Sequence, residues 1–94
     1  MLELRLQSGQ VVSFDGRVVE VFSDGAPSSR FHLVQLEVDA VEAADGSTTI
    51  ELEDGAVTLG FVPAEAPACA RLLAAIAQAR AALEQPTLLR PPVG

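Results

Sequence analysis

Ninety-four residues suffice for one domain and leave no room for two, and a chain of this length can hide roughly two-thirds of its unfolded surface around one core. Hydrophobic residues make up 49% of the chain, which places it outside the disordered class. Thirteen acidic residues face six basic ones, all arginine, for a formal charge of -7; this balance opposes polyanions and argues against nucleic acid, phosphoinositides or anionic membrane as partners.

From Leu2 to Val62 the residues alternate with period two and are punctuated by glycine-containing turns, the pattern of short antiparallel strands. Leu2, Leu4 and Leu6 share a face of the first strand. Ser8-Gly9 turns into a second strand marked by Val12 and Phe14. Asp15-Gly16 is a two-residue hairpin signal for a type I′ turn, whose two central residues both need positive φ. Arg17 to Ser23 is the third strand, and Asp24-Gly-Ala-Pro-Ser-Ser29 is predicted as an exposed loop.

Arg30 to Leu36 reads as strand four, with Phe31, Leu33 and Gln35 opposite in direction to His32, Val34 and Leu36. Strand five covers Val38 to Ala44 and turns at Asp45-Gly46. Strand six covers Thr48 to Glu53, and Asp54-Gly55 closes it onto a seventh strand, Val57 to Val62.

After Pro63 the period changes. Cys69, Leu72, Leu73, Ile76, Ala79 and Leu83 recur at three- and four-residue intervals, so a helix from about Ala64 to Glu84 covers the strands with that face. Pro67 fits only in its first turn and Pro86 stops it. Residues 1–85 are thus the domain, and residues 86–94 are predicted as a proline-stiffened tail or linker.

Seven short antiparallel strands followed by one long amphipathic helix is the element order of the pleckstrin-homology-like (PH-like) fold, and the chain resembles a bacterial member of that superfamily. The resemblance rests on Val12-Ser-Phe-Asp-Gly16, on Arg30-Phe-His-Leu-Val-Gln-Leu36 with Val38-Asp-Ala-Val41, and on Thr49-Ile-Glu-Leu52. Val57-Thr-Leu-Gly-Phe61 and the helix carrying Leu72, Ile76 and Leu83 complete it. It implies a mainly β fold with one C-terminal α-helix: a barrel of about seven strands in two near-orthogonal sheets, capped by the helix at an open corner. It also implies a binding module. The phosphoinositide-binding branch clasps its ligand with basic residues around the first two strands. Leu6-Gln-Ser-Gly-Gln-Val-Val-Ser-Phe14 contains none, so the resemblance does not extend to lipid recognition. What it leaves is peptide docking beside the helix, assembly with a partner domain and self-association.

Chemistry-bearing residues are few. His32 is the only histidine, with no nucleophile or orienting carboxylate set by local spacing, and reads as a half-buried strand residue. Cys69, the only cysteine, sits on the apolar helix face and reads as a small hydrophobe. Neither Asp45-Gly-Ser47 nor Glu51-Leu-Glu-Asp-Gly55 has metal-loop spacing, and no glycine-rich phosphate loop opens a helix. No catalytic residue, metal ligand or cofactor site is predicted. Ser28, Ser29 and Arg30 place hydroxyls beside a positive charge, a candidate contact for an anion or a peptide carboxylate; a polar turn with a surface arginine is the plainer reading. Ala70, Ala74, Ala77 and Ala81 form a nearly uncharged second helix stripe, suited to close approach of another helix or serving only as helix-forming filler.

The expectation is a non-catalytic interaction or assembly module whose partner is a protein or a second copy of itself. A carrier or sensor of a small apolar ligand is the alternative. No apolar run reaches the roughly 20 residues that span a bilayer, and Met1-Leu-Glu-Leu-Arg5 lacks a signal-peptide core. The expected address is therefore cytoplasmic.

Overall fold

Period-two alternation with frequent glycine turns produces two antiparallel meanders. The computed structural model describes residues 1–25 and 27–84. Its first sheet contains β1 (Leu2–Arg5), β2 (Val11–Phe14), β3 (Val18–Phe22) and β4 (Ser29–His32), paired in that order. The second contains β5 (Val38–Glu42), β6 (Thr48–Leu52) and β7 (Val57–Phe61), and α1 (Ala66–Glu84) follows. The chain is therefore mainly β, with seven antiparallel strands and one C-terminal helix, as the sequence predicts. The expected barrel is not closed. Among the described residues no ladder joins the sheets, and each keeps two free edges. The tail predicted for residues 86–94 lies outside the described residues.

Strand register lines up the apolar positions across each sheet. Leu4, Val12 and Val21 form one inward row of the first sheet, and Phe14, Val19 and Phe31 form another. In the second sheet Ile50 pairs with Leu59 and Leu52 with Val57. These faces meet Cys69, Leu72 and Ile76 of α1 in a single buried cluster. Each large side chain fully withdrawn from water there contributes about 1.5–3 kcal/mol.

The same Asp-Gly dipeptide makes different turns. At Asp54-Gly55 both central φ angles are positive, 58° and 85°, as a type I′ turn requires. The type I′ turn predicted at Asp15-Gly16 does not form, because only Gly16 is in the left-handed region. There the Asp15 carboxylate accepts the backbone N–H groups of Arg17 and Val18, each at 2.8 Å. Those bonds hold the Asp15 carboxyl below its ordinary range and fix a turn in which Asp15 N–H faces the Val18 carbonyl, so that Gly16-Arg17 and not Asp15-Gly16 is the central pair.

Strand four is shorter than predicted. After His32 the chain enters a 3-10 turn, Leu33–Gln35, in which residues three apart share a face. Leu33 and Leu36 are consequently both buried, while Val34 is 73% exposed. His32, expected to be half-buried, ends the strand in an exposed position. Strand five also ends early, at Glu42, because Ala43 and Ser47 close the hairpin to β6.

A Pro63–Glu65 3-10 turn precedes α1, which starts at Ala66 and not at Ala64, and Pro67 falls in the first turn as predicted, where its missing N–H costs nothing. Leu83, expected on the core face, is 52% exposed. Ile76 is the last buried residue of α1 among the described side chains, and Leu83, seven positions on and about 10 Å along the axis, lines a concavity with His32 and Leu33 instead of joining the core.

One corner between the sheets is tied by side chains. The Gln10 amide donates to the Thr58 carbonyl at 2.7 Å and accepts from the Gly60 N–H at 3.2 Å, using the free edge of β7. Glu65 accepts from the N–H groups of Gln7 at 2.9 Å and Val62 at 3.1 Å, joining the β1–β2 turn to the helix start. Gln10→Ala is expected to lower stability by about 1–2 kcal/mol, the worth of two such bonds, read as a lower urea midpoint with unchanged slope. Gln10→Glu, which keeps the acceptor and loses the donor, should not restore it. An unchanged midpoint in both variants would show that the bridge is without energetic consequence.

Candidate functional site

The second sheet is unevenly covered. Its inward rows run Val38–Leu52–Val57, Ala40–Ile50–Leu59 and Glu42–Thr48–Phe61. Thus β6 and β7 supply buried side chains, whereas β5 supplies only the half-buried Val38; Asp39 to Glu42 are exposed on both faces.

Hydrogen-bond parity fixes which backbone groups of β5 are unused. Ala43 N–H donates to Ser47 and Glu53 N–H donates to Glu37, at 2.8 and 3.1 Å. Antiparallel ladders alternate bonded and non-bonded pairs, so with the observed register residues 39 and 41 also point their amides at β6. The N–H and C=O groups of Val38, Ala40 and Glu42 therefore point to the free edge. The opposite edge of this sheet, β7, is occupied by Gln10.

Beside β5 runs a groove of about 280 Å³, lined by Ala40, Glu42 and Thr48 on the sheet and by Ala66, Cys69, Ala70 and Leu73 on the helix. Small side chains on both walls keep it open. Glu42 puts a carboxylate in the lining, whereas Asp39, paired with Glu51 of β6, projects from the opposite face of the sheet.

The predicted site residues fall in different places. Ala70, Ala74, Ala77 and Ala81 are all exposed, as the helix projection requires, and of these Ala70 borders the groove. Ser28 and Arg30 are exposed, but both meet Glu20 on the neighbouring strand: the Ser28 hydroxyl at 3.5 Å and the Arg30 guanidinium at 3.9 Å. Ser29 is half-buried in β4. A carboxylate thus already faces the predicted anion contact. The β5 edge was missed in the sequence, although Val38-x-Ala40-x-Glu42 carries the signal: its inward positions dwindle from Val to Ala to a charge.

Cys69 and His32 do not come together; the first lines this groove, while the second lines a concavity at the other end of α1. Burial pushes the Cys69 thiol up, so it stays protonated at neutral pH and is a poor nucleophile. Among the described residues no group of three or more His, Cys, Asp or Glu is placed to hold a metal ion, and no helix is long and apolar enough to cross a membrane. The space between the sheets, where an apolar ligand would have to sit, is filled by Val12, Val19, Ile50, Leu52, Leu59, Phe61 and Leu72.

No family model, curated protein or solved structure matches this chain.

With 5% of its surface exposed, Cys69 is expected to react with a thiol reagent slowly in the folded protein and rapidly in denaturant. Cys69→Asp should cost several kcal/mol, about the penalty for an unpaired buried charge. Labelling of folded protein as fast as of unfolded protein would mean that the groove floor opens.

Proposed function

We propose that this chain is a non-catalytic protein-interaction module of PH-like type that accepts an extended segment of a partner protein along β5, against α1. The observation that supports this reading is the unused backbone edge of Val38, Ala40 and Glu42 beside a groove walled by small side chains. Strand addition draws affinity from main-chain bonds and specificity from alternate side chains entering pockets. The Glu42 carboxylate in the groove lining favours a partner segment carrying Lys or Arg. The carrier alternative gains nothing from an interior filled with side chains.

Ala40→Pro tests the reading. It removes an N–H that β6 does not use and is tolerated at an edge, so the fold is retained while strand addition is blocked. Extended peptides selected from a display library on the unaltered protein should bind Ala40→Pro at least about tenfold more weakly, the loss of one to two hydrogen bonds. Their binding should also protect the Ala40 and Glu42 amides from exchange. Equal binding to both proteins would dismiss β5 as the site.

A second reading is favoured by the exposure of Ala70, Ala74, Ala77 and Ala81 on one stripe: two copies packed helix to helix in an isologous dimer. Ala74→Glu with Ala77→Glu retains helix propensity and opposes like charges across such a seam. Light scattering at high concentration should then report a dimer that becomes a monomer in the double variant. A monomer from the outset would remove this reading and leave the β5 site untouched.

A further inference from the structure

At the far end of α1, three elements surround an exposed apolar patch. Arg17 C=O accepts the Leu33 N–H at 2.7 Å, pinning the 3-10 turn Leu33–Gln35 against the β2–β3 turn. The 3-10 geometry turns Leu33 inward and leaves Val34 73% exposed. The C-terminal part of α1 places Leu83, 52% exposed, in the same surface. Two concavities of about 340 and 270 Å³ meet there, sharing Leu33, Val34 and Leu83.

The rim of this patch reverses the charge of the molecule. Arg80 lines the first concavity, and Arg17 and His32 line the second, with no carboxylate in either lining among the described residues, on a chain of formal charge -7. The Asp15 carboxylate accepts the turn N–H groups described above and also feels the Arg17 charge. The one ion pair among the described residues, Arg30–Glu20, lies elsewhere. Salt screens charges beyond about 8 Å, so a docked segment meets the local arginines rather than the net charge.

We infer that this groove docks an acidic segment of another protein, seating an aliphatic side chain between Val34 and Leu83 and presenting carboxylates to Arg17 and Arg80. Arginine accepts a carboxylate with two parallel N–H bonds, and an apolar centre ringed by such contacts is the usual anatomy of a small interface. Arg80, half-buried in the lining, combines an apolar stem with a charged head. The site is separate from β5 and stands or falls independently of it.

The test is an NMR titration of the full chain with a capped twelve-residue peptide of alternating Glu and Leu, a Lys-for-Glu counterpart and a Ser-for-Leu counterpart. The Glu/Leu peptide is expected to shift the amides of Arg17, Leu33, Val34, Arg80 and Leu83, and not those of Ala40 and Glu42. Val34→Ser should weaken it about tenfold, near the worth of burying one valine, and Arg80→Glu about fivefold, near that of an exposed ion pair. Unshifted amides, or equal binding of either counterpart, would overturn the inference. Shifts of the same amides on concentrating the protein without peptide would assign the groove to a second copy, and shifts caused by Leu88→Ser with Leu89→Ser would assign it to the chain's own C-terminal segment. Either result overturns the inference as well.

Discussion

Two short meanders with no ladder between them have only one way to stay together, which is to bury one apolar face each against a common third element. The cluster that joins Val12, Val19, Ile50, Leu59 and Phe61 to Leu72 and Ile76 of the helix meets this constraint. Everything at the edges is what that burial leaves over. Sheet edges carry unpaired N–H and C=O groups that must meet water, a side chain or another strand. At β7 the chain answers with the Gln10 amide, and at the helix start with the Glu65 carboxylate. At β5, among the described residues, no side chain takes up these groups.

This asymmetry links the packing to the proposed activity. A closed corner on the β7 side fixes where the helix enters, and the helix direction then decides which parts of the second sheet are covered. Leu72 and Ile76 are committed to the core, so Ala66, Ala70 and Leu73 form the wall toward β5. Acidic residues along β5 discourage promiscuous pairing with other acidic chains. They would also select a basic strand over a neutral one.

The last turns of the helix leave the core and, with the 3-10 turn after β4, expose two aliphatic side chains beside arginines. The acidic β5 groove and the basic-rimmed patch therefore lie along different parts of one helix and oppose each other in charge. The two proposed sites together would let one module hold two unlike segments at once.

The sequence by itself determined the elements. Alternation and glycine turns placed seven strands, and the change of period after Pro63 placed the helix, because these signals act within a few residues of chain. It also placed Cys69, Leu72 and Ile76 on the buried face. Tertiary structure decided what depended on neighbours distant in sequence. Leu83 shares the helical period of Ile76 but lies outside the core. Leu33 and Leu36, expected on opposite faces of a strand, are both buried because a 3-10 turn replaces its last residues. Ser28 and Arg30 look available until the β3–β4 register sets Glu20 against them. The β5 edge follows from the same rule: a strand's periodicity records which side chains can face inward, whereas only the assembled sheets determine whether anything lies there to cover them.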